Sequence, residues 1–330
     1  MTRLRTILLA SVAGLSAAAA QAQAQTKFPV KPIKLVVPFG AGGATHTLAR
    51  LFADDLAKAI GQRVVVTAAP GSGGAIGSAQ VARSKPDGYT LSMGSNGTNG
   101  MRWQISETGY TLDSFRPLGA VACLPTGVAV KSDSPIKSVK QFIDHVKKNP
   151  DIKYASVGTG SSVHVATEQF AELAGLKITH IGARGGKDAI VKLLSGEVQF
   201  VAVAASNFPA QFSKGKTGQL RPIFVTSDEP YEFAPQVETL KSAGYNFTDF
   251  TWWGPMAVNG TPAPVMEKLA SAVEKAAKSE TFKNTLKKFN YTGCFKNAKD
   301  AWADLQAYAK RQEGTLKKLG MHKDLAKKQK

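Results

Sequence analysis

The chain is poor in cysteine, in acidic residues and in long apolar runs. Among its 330 residues only Cys123 and Cys294 are cysteines, and no C-x-x-C or H-x-H spacing gathers them with His46, His145, His164, His180 or His322. Without clustered soft ligands no metal site is expected. The two cysteines allow either one bridge or two thiols, and spacing alone does not choose between them. There is no G-x-S-x-G nucleophile elbow. Nor does any neighbouring Ser/His/Asp or Cys/His set stand ready to activate a nucleophile. Gly71, Gly73 and Gly77 are spaced G-x-G-x-x-x-G rather than as a dinucleotide turn, and Gly215-Lys216-Thr217 has Ala210 where a Walker loop has its first glycine. The chain therefore reads as no enzyme, with no cofactor.

Acidic residues number 24 against 42 Lys and Arg, a net charge of +18. The C-terminal stretch 264–330 carries 16 of the basic residues and 7 of the acidic ones. Its lysines fall between apolar helical positions such as Leu269, Val273, Leu305, Tyr308 and Leu316, which describes a solvated helix face rather than a nucleic-acid module. The surplus gives a mild long-range attraction for anions.

One apolar run stands out, Ile7–Ala20, preceded by Arg3 and Arg5 and followed by Ala22-Gln23-Ala24. It is shorter than the roughly 20 residues of a membrane span and has the layout of a secretory leader cleaved near Ala24. Residues 1–24 are thus expected to be removed and the remainder exported as a soluble protein. An uncleaved membrane anchor is the rival reading. What remains is long enough for two ordinary domains.

Past the leader, strand and helix patterns alternate. Apolar strand segments are expected at Ile33–Val37, Arg63–Thr67, Tyr89–Met93, Gly119–Cys123, Gly127–Val130, Ile152–Ser156, Ile178–Ile181, Gln199–Ala205, Leu220–Val225 and Trp252–Val258. Amphipathic helices are expected at Thr45–Ala59, Gly74–Arg83, Val139–Lys148, Ser162–Ala174, Lys187–Leu194, Pro264–Lys278 and Ala298–Lys318. Such alternation implies α/β architecture with mostly parallel sheets flanked by helices. Linker-like compositions at Leu118–Asp133 and Thr226–Trp253 suggest two crossings. Residues 25–124 and 227–330 then form one lobe and 125–226 the other, with a ligand cleft between them.

Two strand-to-helix junctions carry the chemistry. In Ile33–Arg50 a buried strand ends at Pro38 and is followed by Gly40, Gly42 and Gly43, whose backbone can approach a ligand closely. Thr45 is the expected N-cap. In Tyr154–His164 the glycines Gly158 and Gly160, with Thr159, Ser161 and Ser162, again precede a helix. Both junctions aim N–H groups and a positive dipole end at an anion such as a carboxylate.

The segments Pro32–Phe39 with Ala41-Gly42-Gly43 and Leu48-Ala49-Arg50, Pro70–Gly74 with Ile76-Gly77, Ala82–Thr90, Gly158–His164, Gly185 with Ala189, Gly196-Glu197-Val198 and Gly260–Pro264 together resemble the periplasmic solute-binding receptors of tripartite tricarboxylate transporters, the Bordetella uptake gene family. The resemblance runs from about Phe28 to the last helix. It implies a monomeric two-lobed receptor that closes over a small di-, tri- or aromatic carboxylate and presents it to membrane permease subunits. It also implies ligand contacts from Phe39, Ala41, Gly43 and Thr45 of the first loop. The second loop contributes Thr159, Gly160, Ser161 and Ser162, with His164 behind it. Arg184, Gly185 and Gly186 supply a third contact, and Ser95 and Asn96 line the floor. This chain departs from the family pattern at His46 and Gln199, where the family has Asp, at Ala183, where it has an aromatic, and at Asp188, where it has Pro. Losing two acidic positions favours an anionic ligand, with Arg184 and His46 as partners for its carboxylates. An exported enzyme using the same loops for a nucleotide or phosphate is the alternative. A basic adhesion protein is a third reading, and it leaves both glycine loops without a purpose.

Overall fold

The computed structural model describes residues 28–208 and 218–327; the expected leader and the Gly215–Thr217 segment lie outside them. In chain order the strands are β1 (Ile33–Val37), β2 (Val64–Ala68), β3 (Thr90–Ser95), β4 (Phe115–Pro117), β5 (Ala122–Lys131), β6 (Ile152–Ala155), β7 (Ile178–Ile181), β8 (Phe200–Ala204), β9 (Leu220–Val225), β10 (Glu238–Thr239) and β11 (Phe250–Val258). The helices are α1 (Ala44–Ile60), α2 (Ala75–Ala82), α3 (Val139–Lys148), α4 (Ser162–Ala174), α5 (Gly186–Leu194), α6 (Ala263–Lys278), α7 (Glu280–Lys288), α8 (Ala298–Lys318) and α9 (Lys323–Lys327).

The strands follow the order β2-β1-β3-β11-β5-β8-β6-β7. At one end β2, β1 and β3 are parallel; at the other β7, β6 and β8 are parallel. Antiparallel β11 and β5 join them. The fold is the α/β, two-lobed arrangement expected. Its strands read as continuous apolar runs because helices cover both faces; Ile33, Leu35, Val36 and Val37 of β1 are all fully buried.

Strand β5 is the pivot. The sequence suggests two short strands interrupted by Pro125, but a single ten-residue strand runs through the proline. Residues 122–125 pair with β11, and residues 126–131 pair with β8 and β9. Pro125 falls where the strand changes partners, so its missing N–H costs little. Thr126, Thr226 and Asp249 are knotted together at this crossing. The Thr126 N–H donates to Thr226 Oγ1 at 3.0 Å, and the Thr226 hydroxyl donates to the Asp249 carbonyl at 2.7 Å.

The second crossing corrects the expected boundary. β10 adds to β9, and Leu240, with Ala243, Tyr245 and Phe247, packs in the second lobe's core. Residues 238–249 therefore lie with the second lobe, and the chain returns at Asp249–Phe250 rather than at 227. Helix α7 had no counterpart in the periodicity reading. Its signal is short: the Ser279 hydroxyl accepts the Phe282 N–H at 3.1 Å, and Phe282 and Leu286 bury one turn apart. Cys123 and Cys294 are bridged, with Cα atoms 5.8 Å apart. Among the described residues no helix is long and apolar enough to cross a membrane, and no cluster of His, Cys, Asp or Glu is arranged to hold a metal.

Candidate functional site

Helices α1, α4 and α5 all begin at one small cavity between the lobes. Its wall includes Gly43, Ala44 and Thr45 from the start of α1, Ser162 and Val163 from the start of α4, and Gly185 and Gly186 from the start of α5. Each helix follows a strand whose carboxyl end points at the cleft, which is why three N-termini meet there. Gly43 and Gly185 have no side chain to cap their helices, so first-turn N–H groups of α1 and α5 stay free for a ligand. Each dipole end favours an anion by about 0.3–2 kcal/mol, more when sheltered from water. The free volume is about 30 Å³, room for about two waters.

Among the described residues, no charged side chain lines this cavity. Its remaining wall is Phe39, Val157, Ala204 and Trp253, with the polar groups of Ser95, Asn207 and Thr251. Ser162 and Thr251 hydroxyls meet at 2.8 Å. Ser95 Oγ accepts the Thr98 N–H at 3.0 Å and lies 2.9 Å from Thr98 Oγ1, which fixes it at the head of a wide π-helical turn, Asn96–Met101. Strand β11 divides its side chains between two faces: Thr251 and Trp253 point to this cavity, Phe250 and Trp252 away from it.

The lobes touch through glycines. The Gly40 N–H donates to the Arg184 carbonyl across the cleft at 2.9 Å. A methyl group at Gly73 would fall 2.2 Å from the Thr159 carbonyl oxygen, and one at Gly97 would fall 2.6 Å from Ser162 Cβ. These approaches are open only to residues without Cβ, and they describe a closed cleft.

Of the residues singled out from sequence, Phe39, Gly43, Thr45, Ser95, Ser162 and Gly185 surround the cavity. The others sit elsewhere. Ala41 is exposed on the outer edge of its loop. Asn96 turns its amide to β11, donating to the Phe250 carbonyl at 2.8 Å. Ser161 caps α4 by accepting the His164 N–H at 3.2 Å. Thr159 and Arg184 line an outer groove of about 560 Å³ with Asp188 and Lys192; Arg184 gives the inner cleft its carbonyl rather than its guanidinium. His46 folds back on its own loop, where Nδ1 accepts the Gly42 N–H at 3.4 Å. Burial, and then the nearby Arg50 charge, push its pKa down, so the imidazole is neutral at pH 7 and is no cation for a carboxylate.

His164 stands behind the second loop. Its Nδ1 accepts the Gly160 N–H at 2.9 Å, fixing the loop from beneath. Its ring stacks on His180 at 3.8 Å. Burial, with His164 alongside, pushes the His180 pKa down to about 3, so that ring stays neutral and accepts or donates only to Ser156 Oγ at 2.8 Å. Gly160 itself adopts φ +74° and has the Arg102 side chain against it. Arg102, buried, steadies the Gly71–Gly74 turn by donating from Nε to the Ser72 carbonyl at 2.9 Å and from Nη2 to Ser72 Oγ at 2.9 Å. Neither Arg102, Asn207 nor Thr251 is visible in a motif. The period-2 pattern of β11 is the one signal that assigns Thr251 and Trp253 to a common face.

Comparison with known proteins agrees with this geometry. The family model described as the tripartite tricarboxylate transporter family receptor matches residues 48–321. The UPF0065 protein in the gbd 5′ region of Cupriavidus necator is 30% identical over 318 residues, 94% of each chain. Protein BugT of Bordetella pertussis is 31% identical, covering 85% of this chain and 86% of its own. Among solved structures, the periplasmic binding protein BugD superposes with a TM-score of 0.83 at 29% identity, over 89% of this chain and 99% of that one. An R. palustris protein with adipate gives 0.81 at 27% identity, covering 89% and 99%. MatC from Rhodopseudomonas palustris with bound malate gives 0.80 at 26%, covering 88% and 100%. The chain belongs to the tripartite tricarboxylate transporter receptor family, whose solved neighbours are periplasmic solute-binding proteins.

Proposed function

We propose that this chain is an exported periplasmic receptor that captures a small carboxylate by closing its lobes, and delivers it to the permease subunits of a tripartite tricarboxylate transporter. The observation that carries the reading is the convergence of three helix N-termini, two of them uncapped, on a cavity lined, among the described residues, by no charged side chain. Such a cavity neutralises an anion with oriented N–H dipoles, at little reorganisation cost. It also rejects cations, having no carboxylate to meet them. Two similar structures hold dicarboxylates, malate and adipate, which supports the carboxylate class. The closed cavity has room for one carboxylate group at the N-termini, so a whole dicarboxylate holds the lobes slightly further apart; the hydroxyls of Ser162, Thr251 and Ser95 supply further hydrogen bonds. The ligand bridges both lobes and so stabilises the closed form, the form a permease would recognise. A leader removed near Ala24 would place the receptor in the periplasm, and the monomer is its working state.

A thermal-shift screen followed by calorimetry tests this, with malate, adipate, citrate, benzoate, phosphate and AMP as probes. A ligand at 100 times its Kd stabilises the folded state by about 2.7 kcal/mol, several degrees in Tm. A shift with one of the carboxylates supports the receptor reading. Shifts with phosphate or AMP alone would overturn it in favour of an exported nucleotide- or phosphate-using protein.

A further inference from the structure

A second cavity, of about 650 Å³, lies on the reverse of the hinge. Strand β11 separates it from the carboxylate cleft: Phe250 and Trp252 face it, on the side opposite Thr251 and Trp253. Both lobes build it. Helix α8 supplies Tyr308, Arg311 and Gln312 from the first lobe; helix α4 and the 246–249 segment supply Gln169, Phe247 and Asp249 from the second. The lobes also clasp beside it, where Gln169 Nε2 donates to Thr315 Oγ1 at 3.2 Å and Lys318 pairs with Glu172 at 2.8 Å.

Its charges are arranged unusually. Lys296 and Asp304 neutralise each other at 2.6 Å, and Asp304 also accepts the Trp252 indole N–H at 2.6 Å. Among the described residues, Asp249 and Arg311 have no ion-pair partner within 4 Å. Asp249 is buried and receives only the Thr126 hydroxyl, at 3.3 Å. Arg311 is exposed, its guanidinium 5.3 Å from the Tyr308 ring. Gln312 is 4% exposed; its carboxamide meets the Tyr308 hydroxyl, and its Oε1 finds no donor among the described residues. Burying a carboxylate with no cation in contact, and a carbonyl without a donor, is costly. A ligand that brings an ammonium group relieves both, and one that also brings an anionic group meets Arg311. The aromatic wall of Phe247 and Phe250 accepts an apolar portion.

We infer that this reverse-face cavity is a second small-molecule site, distinct from the carboxylate cleft, that takes a zwitterion of the α-amino acid class. The ammonium sits at Asp249 and the Gln312 carboxamide, the carboxylate at Arg311, and the side chain against Phe247 and Phe250. Burial pushes the Asp249 carboxyl up to about 6, opposed by the Thr126 hydrogen bond and then by Arg311; an ammonium beside it would draw the carboxyl back toward its ionised form.

The probe is L-leucine, titrated by calorimetry into the full chain, with 3-methylbutylamine and 4-methylpentanoate as analogues that each lack one charge. The expected result is one leucine per chain, with each analogue bound at least about tenfold more weakly. Arg311→Ala, an exposed change that leaves the fold intact, and Gln312→Met should each weaken leucine by about tenfold or more. The double variant Ser162→Ala with Thr251→Val should leave leucine binding unchanged, since both residues belong to the other cavity. The inference is overturned by no heat at about 10 mM leucine, by Arg311→Ala binding within twofold of the parent, or by loss of leucine binding in the double variant, which would assign it to the carboxylate cleft.

Discussion

Gly97→Ala is the sharpest test of closure as the mechanism. Gly97 faces the start of α4, and a Cβ added there would lie 2.6 Å from Ser162 Cβ and 2.7 Å from Ser162 Oγ. Carbon atoms in contact rest at roughly 3.5–4.0 Å, so the two surfaces must part by about 1 Å at this point. Both partners lie at the rigid ends of packed elements, so the separation is taken up by the lobes and the 2.9 Å hydrogen bond from Gly40 to Arg184 is stretched. The φ of Gly97 is outside the left-handed region, so alanine adopts the backbone without strain. The clash therefore burdens the closed form and spares the open one. Overpacking of this kind costs about 1–3 kcal/mol, which weakens the carboxylate by about 5- to 150-fold. Calorimetry with whichever acid the screen identifies gives the affinity, and small-angle scattering gives the radius of gyration with and without it. Gly314→Ala is the control, because nothing lies within 4 Å of its added Cβ and helix α8 gains a better helix former. Affinity within twofold of the parent, with unchanged compaction on binding, would refute the closure argument.

Four other outcomes follow from the same geometry. Ser162→Ala should weaken the carboxylate by about 1–3 kcal/mol while Ser161→Ala should chiefly lower stability, by about 1 kcal/mol through loss of the α4 cap; equal effects on affinity would put Ser161 in the site as well. His164→Ala leaves the Gly160 N–H buried without an acceptor and should cost about 1–3 kcal/mol of stability in denaturant titrations, with His164→Asn restoring part of it through its amide oxygen; unchanged hydrogen exchange at Gly160 would refute the anchoring role. Asp249 is raised from 3.8 to about 6 by burial, so its ionisation opposes folding: the penalty is absent below pH 3.8 and complete above about 6. The stability of the parent relative to Asp249→Asn should accordingly fall by about 3 kcal/mol between those limits in denaturant titrations, and a flat difference would show the carboxyl to be better solvated than its position implies. Alkylation without reductant should add no label, and the Cys123→Ala, Cys294→Ala pair should lose about 3–5 kcal/mol, as removal of a cross-link between residues 171 apart implies; two added labels would exclude the bridge.

Helix and strand positions were legible wherever the apolar period was long. The bounds of α3, α4, α8, β7 and β9 agree with the periodicity. Both glycine junctions mark helix starts as expected, but the first helix is capped at Gly43, which offers no side chain, and Thr45, the expected N-cap, lies inside its first turn. The reading lost accuracy where an element serves two neighbours at once. Pro125 looks like a break until β5 is seen to exchange β11 for β8 and β9 at that residue. The 238–249 segment looks like linker because β10 has two residues and borrows its core from β9.

By itself the sequence determined the alternation of strands and helices, the two anion-directed junctions and the family, since each rests on neighbours within some twenty positions of one another. The tertiary structure alone decided which residues share a cavity. It took the third N-terminus, at Gly185, to the side of the other two, and it turned His46, Asn96 and Arg184 away. It brought Asn207 in from the turn after β8, and Thr251 and Trp253 from β11. It also bridged Cys123 to Cys294 and placed Asp249, Arg311 and Gln312 round a second cavity. Those choices depend on how two sheets joined by β5 and β11 fold over one another, and side-chain direction at a junction of that kind is fixed by packing across the chain rather than by any local pattern.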